Sequence, residues 1–197
     1  CVTLWHFSNP LWLEDNGGWT NPKVVQRYLK FVHFVVDQLG DLVQDWVTIN
    51  EPNVYLLFGY FGGRWPPGKR GQLISYLKGA THFAHAHILA YDQIHQQLKE
   101  KGQKDVNVGA AHHLRIFDHF DKRKLTRIAA SLSKWLFQRI YLEAMTHGRF
   151  VFPLFAHHIK LKPRNYADFI GINYYSRDMV KGVYNPATMF NELSVKK

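Results

Sequence analysis

A single carboxylate stands where the sequence predicts that a buried strand ends. The segment from Thr48 to Asn53 reads Thr-Ile-Asn-Glu-Pro-Asn and follows an apolar pair at 46–47. Pro52 has no N–H to donate to a neighbouring strand, so it ends the strand, and it predicts an extended backbone for Glu51. Because catalytic side chains of parallel α/β barrels gather at the C-terminal strand ends, Glu51 is a candidate general acid, with the amide of Asn50 beside it. The alternative interpretation is an ordinary turn, since Asn and Pro are both turn residues.

Other residue patterns that carry chemistry are weaker in this sequence. His82 and His85 are spaced to share one helical face, but no third metal ligand is evident near them, so no metal site is predicted. Cys1 and Ser133 have no identifiable His–Asp partners for nucleophilic catalysis. The glycine-rich stretch 59–71 lacks the Gly-Lys-Ser/Thr ending of a phosphate-binding loop, and we expect no cofactor.

Length and composition indicate one soluble globular domain. The 197 residues are 46% apolar, 20% charged and 15% aromatic, with no apolar run long enough to cross a membrane. A formal net charge of +10 suggests a nucleic-acid partner, but the basic residues are scattered in short clusters such as 122–124. We interpret them as a solvated surface and expect neither a nucleic-acid nor a membrane partner. Cys1 is the one cysteine, which excludes an internal disulfide and favours a cytoplasmic location.

Strand-like and helix-like patterns alternate along the chain. Four strands are predicted, at Val2–Phe7, Asp45–Asn50, Val106–Ala111 and Asp168–Tyr174. Helices are predicted at 23–39, 72–101 and 123–146, a glycine-rich loop at 59–71 and a short extended stretch at Met179–Tyr184. Strands joined by helical crossovers favour an α/β protein, with a parallel sheet and the helices outside it. Residue 1 opens directly into a strand, which favours a cut chain, and four strands are half of the eight in a TIM barrel.

Several separated blocks of the sequence are similar to glycoside hydrolase family 1, the retaining β-glycosidases. In chain order they are Val2 to Phe7 with Asn9 to Leu13 and Gly17 to Trp19; Trp46 to Pro52; Gly59-Tyr60 through Pro67-Gly68; Ala84 to Ala86; and Asp168 to Ser176. They resemble that family's third strand and its loop, its fourth strand and next loop, its fourth helix and its sixth strand. The resemblance implies a partial (β/α)8 TIM barrel, about strands three to six with their helices, as a single segment over residues 1–197.

The resemblance also implies roles for individual residues. Glu51 matches the general acid/base, Asn50 the amide that holds the sugar 2-hydroxyl, and His6 a ligand to the sugar ring. Tyr175 matches the tyrosine whose hydroxyl faces the nucleophile carboxylate, and Asn173 is its neighbour on the same strand. A retaining glycosidase needs two carboxyl groups roughly 5–5.5 Å apart, one to protonate the leaving oxygen and one to attack the anomeric carbon. Glu51 is therefore expected to be protonated, near an anionic partner and away from bulk water.

The second carboxylate has no counterpart in this sequence. The family's nucleophile is a Glu in a Thr-Glu-Asn-Gly-like sequence at the end of the seventh strand, and this chain stops shortly after the sixth. None of the other glutamates ends a predicted strand: Glu14 is in a loop, Glu100 and Glu143 are in helices, and Glu192 is in a polar tail. The chain alone is thus expected to be inactive, whereas the intact barrel would hydrolyse β-glycosides.

Two other classes of function stay open at this point. A non-catalytic sugar-binding or interaction protein, derived from the same fold, would keep the site without its nucleophile. Nucleic-acid binding through the positive charge is the less favoured class. An open half-barrel also predicts self-association through exposed strand edges, and the small-molecule partner implied is a β-glycoside or oligosaccharide.

Overall fold

One sheet positions every candidate residue. We describe it from a computed structural model of the chain, which defines residues 1–156, 159–183 and 191–195, the last of these as backbone only. Its strands are β1 (Val2–Trp5), β2 (Asp45–Asn50), β3 (Asn107–His119), β4 (Phe169–Gly182) and β5 (Asn191–Val195), in that spatial order. Strands β1 to β4 run parallel, and β5 pairs antiparallel with β4.

Helices lie between the successive parallel strands. They are α1 (Leu11–Asp15), α2 (Lys23–Leu39), α3 (Pro52–Leu56), α4 (Leu73–Glu100), α5 (Lys124–Lys134) and α6 (Ile140–His147). Two π-helical turns, Leu57–Phe61 and Trp135–Arg139, directly follow α3 and α5, and short 3-10 turns lie at Gly18–Thr20 and Gly40–Leu42. The predicted α/β class is confirmed, since a four-stranded parallel sheet that alternates with helices is consistent with part of an α/β barrel.

The apolar core lies between the sheet and the helices α2 and α4. Helix α2 buries one face, because its apolar residues recur at helical spacing; they are Val24, Val25, Tyr28, Val32 and Val36. Helix α4 packs on both α2 and β2, and the ring of its Phe83 stacks on Trp19 with 3.6 Å between ring centroids. This packing fixes the ends of β1 and β2, where the candidate residues begin.

Strands β3 and β4 are longer than the sequence predicted. Their pairing continues past the predicted ends, to His119 in β3 and Gly182 in β4. The extension contains polar residues, which the apolar strand pattern did not include. They are paired across the two strands, as Arg177 Nε lies 2.7 Å from Asp118 Oδ2. The predicted extended stretch Met179–Tyr184 is in part the end of β4, and Tyr184 lies outside the described residues.

Several elements were not predicted. Helix α1 lies in a segment that was interpreted as a loop, and α3 lies in one for which no element was predicted. Residues 59–61 of the predicted glycine-rich loop belong to the π-helical turn after α3. The predicted helix 123–146 is interrupted at Trp135–Arg139. Glu192 was assigned to a polar tail, but it lies in β5, in register with Lys181 of β4.

The sheet is open over the described part of the chain. It ends at β1 on one side and at β5 on the other. Of the helices in the described ranges, none is both long enough and apolar enough to cross a bilayer.

Candidate active site

The C-terminal ends of the parallel strands bring the predicted residues to one region. Asn50 ends β2 and Glu51 follows it, while Asn173 lies in β4. The amide Nδ2 of Asn173 donates hydrogen bonds to Oδ1 of Asn50 at 3.0 Å and to Oε1 of Glu51 at 2.7 Å. These three side chains therefore form one connected group, which joins β2 to β4 across the end of β3.

The backbone of Glu51 is left-handed, with φ 44° and ψ 56°, so the predicted extended conformation is wrong. Its N–H still donates to Ala111 O of β3 at 2.8 Å, as a strand residue would, while its carbonyl accepts from the N–H groups of Val54 and Tyr55. The chain therefore changes from strand to helix at this one residue. A non-glycine residue in this conformation costs about 1–3 kcal/mol, and such residues cluster at functional sites.

The Glu51 carboxylate is buried, with 5% of the residue exposed, and donors surround it. Besides Asn173, the imidazole Nδ1 of His113 lies 3.7 Å from Glu51 Oε2. This distance is longer than a normal hydrogen bond, so we treat it as a close electrostatic contact.

The surroundings of Glu51 lower its pKa below the ordinary carboxyl value. Burial raises this pKa, but His113 and the Asn173 amide stabilise the ionised form, the positive charge of His6 acts the same way, and the net direction is downward. The expected protonation of Glu51 depends on a neighbouring anionic carboxylate and stays a prediction for the intact barrel. In residues 1–197 the groups that lower the pKa of Glu51 are the imidazoles of His113 and His6 and the amide of Asn173.

His6 and Tyr175 lie at the border of the group. Strand β1 ends at Trp5 rather than at Phe7, because Phe7 adopts a left-handed backbone with φ 68° and the Ser8 N–H turns back to His6 O at 2.9 Å. His6 is exposed there and influences Glu51 by its charge. Tyr175 is 70% exposed, and its ring lies 5.0 Å from that of His113.

His113 is the residue at this site that sequence reasoning missed. The predicted third strand stopped at Ala111, so the His112-His113 pair was assigned to no element, although in a strand successive residues face opposite sides of the sheet. That alternation separates the two histidines: His113 faces Glu51, while His112 is buried near His87 of α4. An extension of the strand by two residues would have directed attention to His113.

The other candidate residues have different surroundings. Glu14, in α1, accepts hydrogen bonds from the Asn9 amide at 2.5 Å and the Tyr55 hydroxyl at 3.1 Å. The Nδ1 atom of His82 lies 2.8 Å from Trp19 O, to which it donates. Among residues with a defined position, no cluster of three or more His, Cys, Asp or Glu side chains is arranged to hold a metal ion.

Comparison with known proteins agrees with this architecture. The sequence profile described as Glycosyl hydrolase family 1 matches residues 1–197. The chain belongs to glycosyl hydrolase family 1. Among solved structures, a beta-glycosidase from Pyrococcus horikoshii superposes over 100% of this chain and 43% of its own, with a TM-score of 0.83 and 30% sequence identity. The fold of this family 1 chain is thus that of a part of a family 1 enzyme.

Two curated relatives illustrate the range of the family. A beta-galactosidase from Pyrococcus woesei is 30% identical over 208 residues, which cover 91% of this chain and 39% of the relative. A chloroplastic protein of Arabidopsis thaliana named Galactolipid galactosyltransferase SFR2 is 33% identical over 190 residues, which cover 92% of this chain and 27% of the relative. This family 1 chain therefore spans well under half the length of these relatives.

Proposed function

We propose that the intact barrel containing this chain is a β-glycosidase that cleaves O-glycosidic bonds with retention, and that Glu51 is its acid/base. The observation that carries the proposal is the buried Glu51 carboxylate at the C-terminal end of a parallel strand in a family 1 chain, where the Asn173 amide donates to it and to Asn50. In this proposal β1 to β4 are the third to sixth strands of the barrel.

The proposed reaction has two steps and uses Glu51 in both. First, protonated Glu51 gives its proton to the glycosidic oxygen as the bond from that oxygen to the anomeric carbon breaks. A carboxylate from outside residues 1–197 attacks that carbon and forms a covalent glycosyl ester. Ionised Glu51 then takes a proton from water, whose oxygen displaces the carboxylate. Asn50 would hold the 2-hydroxyl of the sugar, and His6 would contact the sugar ring.

Two further roles follow from the position of β4. Tyr175 would direct its hydroxyl to the nucleophile, and Asn173 would orient both Asn50 and Glu51, in line with its two hydrogen bonds. The lowered pKa of Glu51 suits its second-step role as a base. The first step needs the protonated form, and an anionic nucleophile nearby would raise this pKa by like-charge repulsion. The second carboxylate would thus supply both the attacking oxygen and the shift that protonates Glu51.

An assay with an aryl β-glucoside tests this proposal. We expect no turnover by purified residues 1–197, equal to a Glu51→Gln control, and turnover by a chain extended with the missing strands. In the extended chain Glu51→Gln should abolish most of the activity. Turnover by residues 1–197 well above the control would show that a nucleophile lies within them. An inactive extended chain that is stabilised by sugars would favour the non-catalytic sugar-binding alternative.

Transfer to a sugar hydroxyl is a second candidate function, favoured by the relative named as a galactolipid galactosyltransferase. It would use the same two carboxylates, with an acceptor hydroxyl in place of water in the second step. Product analysis of the extended chain with a galactoside donor distinguishes the two: free galactose indicates hydrolysis, and a new disaccharide linkage indicates transfer. The cytoplasmic location and the association through strand edges stay predictions.

A further inference from the structure

A row of charged and polar side chains continues from Glu51 through His113 and Arg115 to Asp178. The Nδ1 atom of His113 faces Glu51, and the opposite ring nitrogen, Nε2, lies 3.0 Å from Nε of Arg115, which donates to it. Arg115 in turn places Nη1 2.9 Å from Oδ2 of Asp178, a carboxylate that is only 2% exposed. The four residues come from the end of β2, from β3 and from β4, so the row exists only in the folded sheet.

The contact with Arg115 determines which nitrogen of His113 carries the proton. A guanidinium has N–H donors and no acceptor, so the nitrogen that it contacts must offer a lone pair. In the neutral ring, the proton then sits on Nδ1 and is directed to Glu51 Oε2. Had the proton been on Nε2 instead, Nδ1 would present a lone pair to Glu51 and could accept its proton.

Arg115 is itself held on several sides. Its backbone N–H donates to Oε1 of Gln138 at 2.9 Å, and its guanidinium lies 5.3 Å from the ring centre of Phe137. Both partners belong to the π-helical turn Trp135–Arg139, a form of helix that is frequent at functional sites. The register of β3 against β4 also shifts here, between Leu114 and Ile116, so that two residues of β4, Tyr175 and Ser176, lie opposite Arg115.

The same turn and the same strands hold the ring of His113. Its carbonyl accepts a hydrogen bond from the Asn53 amide at 2.9 Å, and Phe137 meets the ring edge-on at 5.5 Å between centroids. The titratable or charged groups that face His113 are Glu51 from the end of β2, Arg115 from β3 and Tyr175 from β4. Asp178 lies behind Arg115 and neutralises it.

We propose that His113 is a positioning residue for the acid/base, fixed as its Nδ1–H tautomer by Arg115 and Asp178. This proposal rests on the proposed function of Glu51. In this tautomer His113 directs its Nδ1–H toward the ionised Glu51 and cannot accept the proton of the protonated form, so that proton is directed to the glycosidic oxygen alone. His113 touches no reacting atom and acts through Glu51.

The test is to assign the tautomer of His113 by ¹⁵N NMR of residues 1–197 at pH 8, where an ordinary histidine is neutral. We expect the proton on Nδ1 in the natural sequence. Arg115→Met should cause loss of this tautomer as the major form, and Arg115→Lys, which keeps a donor, should retain part of it. Arg127→Met, which changes an exposed arginine of α5, is the matched control and should leave the tautomer unchanged.

A second readout follows the Glu51 carboxyl by ¹³C NMR. Both His113→Phe and Arg115→Met should move its titration to higher pH, whereas a merely structural role of Arg115 would not. A proton on Nε2 in the natural sequence overturns the proposal even if no variant folds, and an unchanged tautomer in folded Arg115→Met also overturns it. Neither readout needs turnover, so an inactive extended chain would contradict the proposed function and leave the tautomer result standing.

Discussion

The amide of Asn173 donates a hydrogen bond to the carboxylate of Glu51 at 2.7 Å, across 122 positions of sequence. It is also the link to Asn50, which accepts from the same nitrogen at 3.0 Å. One amide therefore orients two residues that family resemblance assigns to the chemistry, and it favours the ionised form of Glu51.

Removal of this amide should raise the pKa of Glu51. Asn173→Ala deletes a donor that stabilises the carboxylate, and Asn173→Asp replaces it with a second carboxyl, so the increase should be larger for Asp. Carboxyl ¹³C NMR over a pH titration measures both. Asn165→Ala, whose amide donates to Ala167 O before β4, is the control and should leave Glu51 unaffected. An unchanged Glu51 titration in Asn173→Ala would contradict the assigned contact.

Two buried histidines should make the stability depend on pH. Burial lowers the pKa of His87 to about 4 and that of His112 to about 3, so both are neutral in the fold and take up a proton more readily when unfolded. The contribution of these histidines to stability is thus fully present above the unfolded pKa of about 6.5, and it is lost as the pH falls from there toward 4. For His87 alone the free energy of unfolding should fall by about 3 kcal/mol.

Urea denaturation at a series of pH values measures this dependence. His87→Gln removes one titrating group and should flatten the decline between pH 6.5 and 4. His147→Gln, at the exposed end of α6, is the matched control and should leave the slope as it is. Equal slopes for His87→Gln and the natural sequence would mean that His87 is not buried in its neutral form.

Asn53 should be the most costly asparagine to remove. Its amide donates to His113 O at 2.9 Å and to Phe137 O at 3.0 Å, and the residue is 1% exposed. Asn53→Ala removes both of these buried hydrogen bonds and should lower the free energy of unfolding by about 1–3 kcal/mol. Asn16→Ala, which removes an exposed hydrogen bond from the side-chain amide to Trp12 O, should change the free energy of unfolding by less than about 0.5 kcal/mol. Urea denaturation measures both variants, and equal losses of unfolding free energy in Asn53→Ala and Asn16→Ala would disprove the prediction.

Phe83 should be essential to the core under β1 and β2. It is fully buried, stacks on Trp19 at 3.6 Å and packs against Trp5 at 4.7 Å between centroids. Phe83→Ala should lower the free energy of unfolding by about 3–5 kcal/mol, because it removes the ring and leaves a cavity. Phe34→Ala, whose ring is 64% exposed on α2, is the control, and tryptophan fluorescence during urea denaturation follows both. A small loss in Phe83→Ala would place the core elsewhere.

The sequence alone determined the alternation of strands and helices and the position of Glu51. Both depend on local chemistry: the helical spacing of valines in α2, the stop at Gly102 after α4, and the missing N–H of Pro52 are properties of neighbouring residues. The order of Asn50, Glu51 and Pro52 likewise carries the family resemblance without reference to any distant residue. Such local patterns can be read from the sequence because they need no contact with a distant residue.

The tertiary structure decided what depends on pairing between distant strands. His113 reaches Glu51 only because β3 continues beyond its apolar part, and the polar residues of that extension are stable in a strand because β4 supplies partners such as Arg177 for Asp118. The left-handed backbone of Glu51 likewise lies between a distant contact, the hydrogen bond to Ala111 O, and the start of α3 at the next residue. Periodicity does not encode such contacts, because each is made by a residue about 60 positions away, which the fold alone places there.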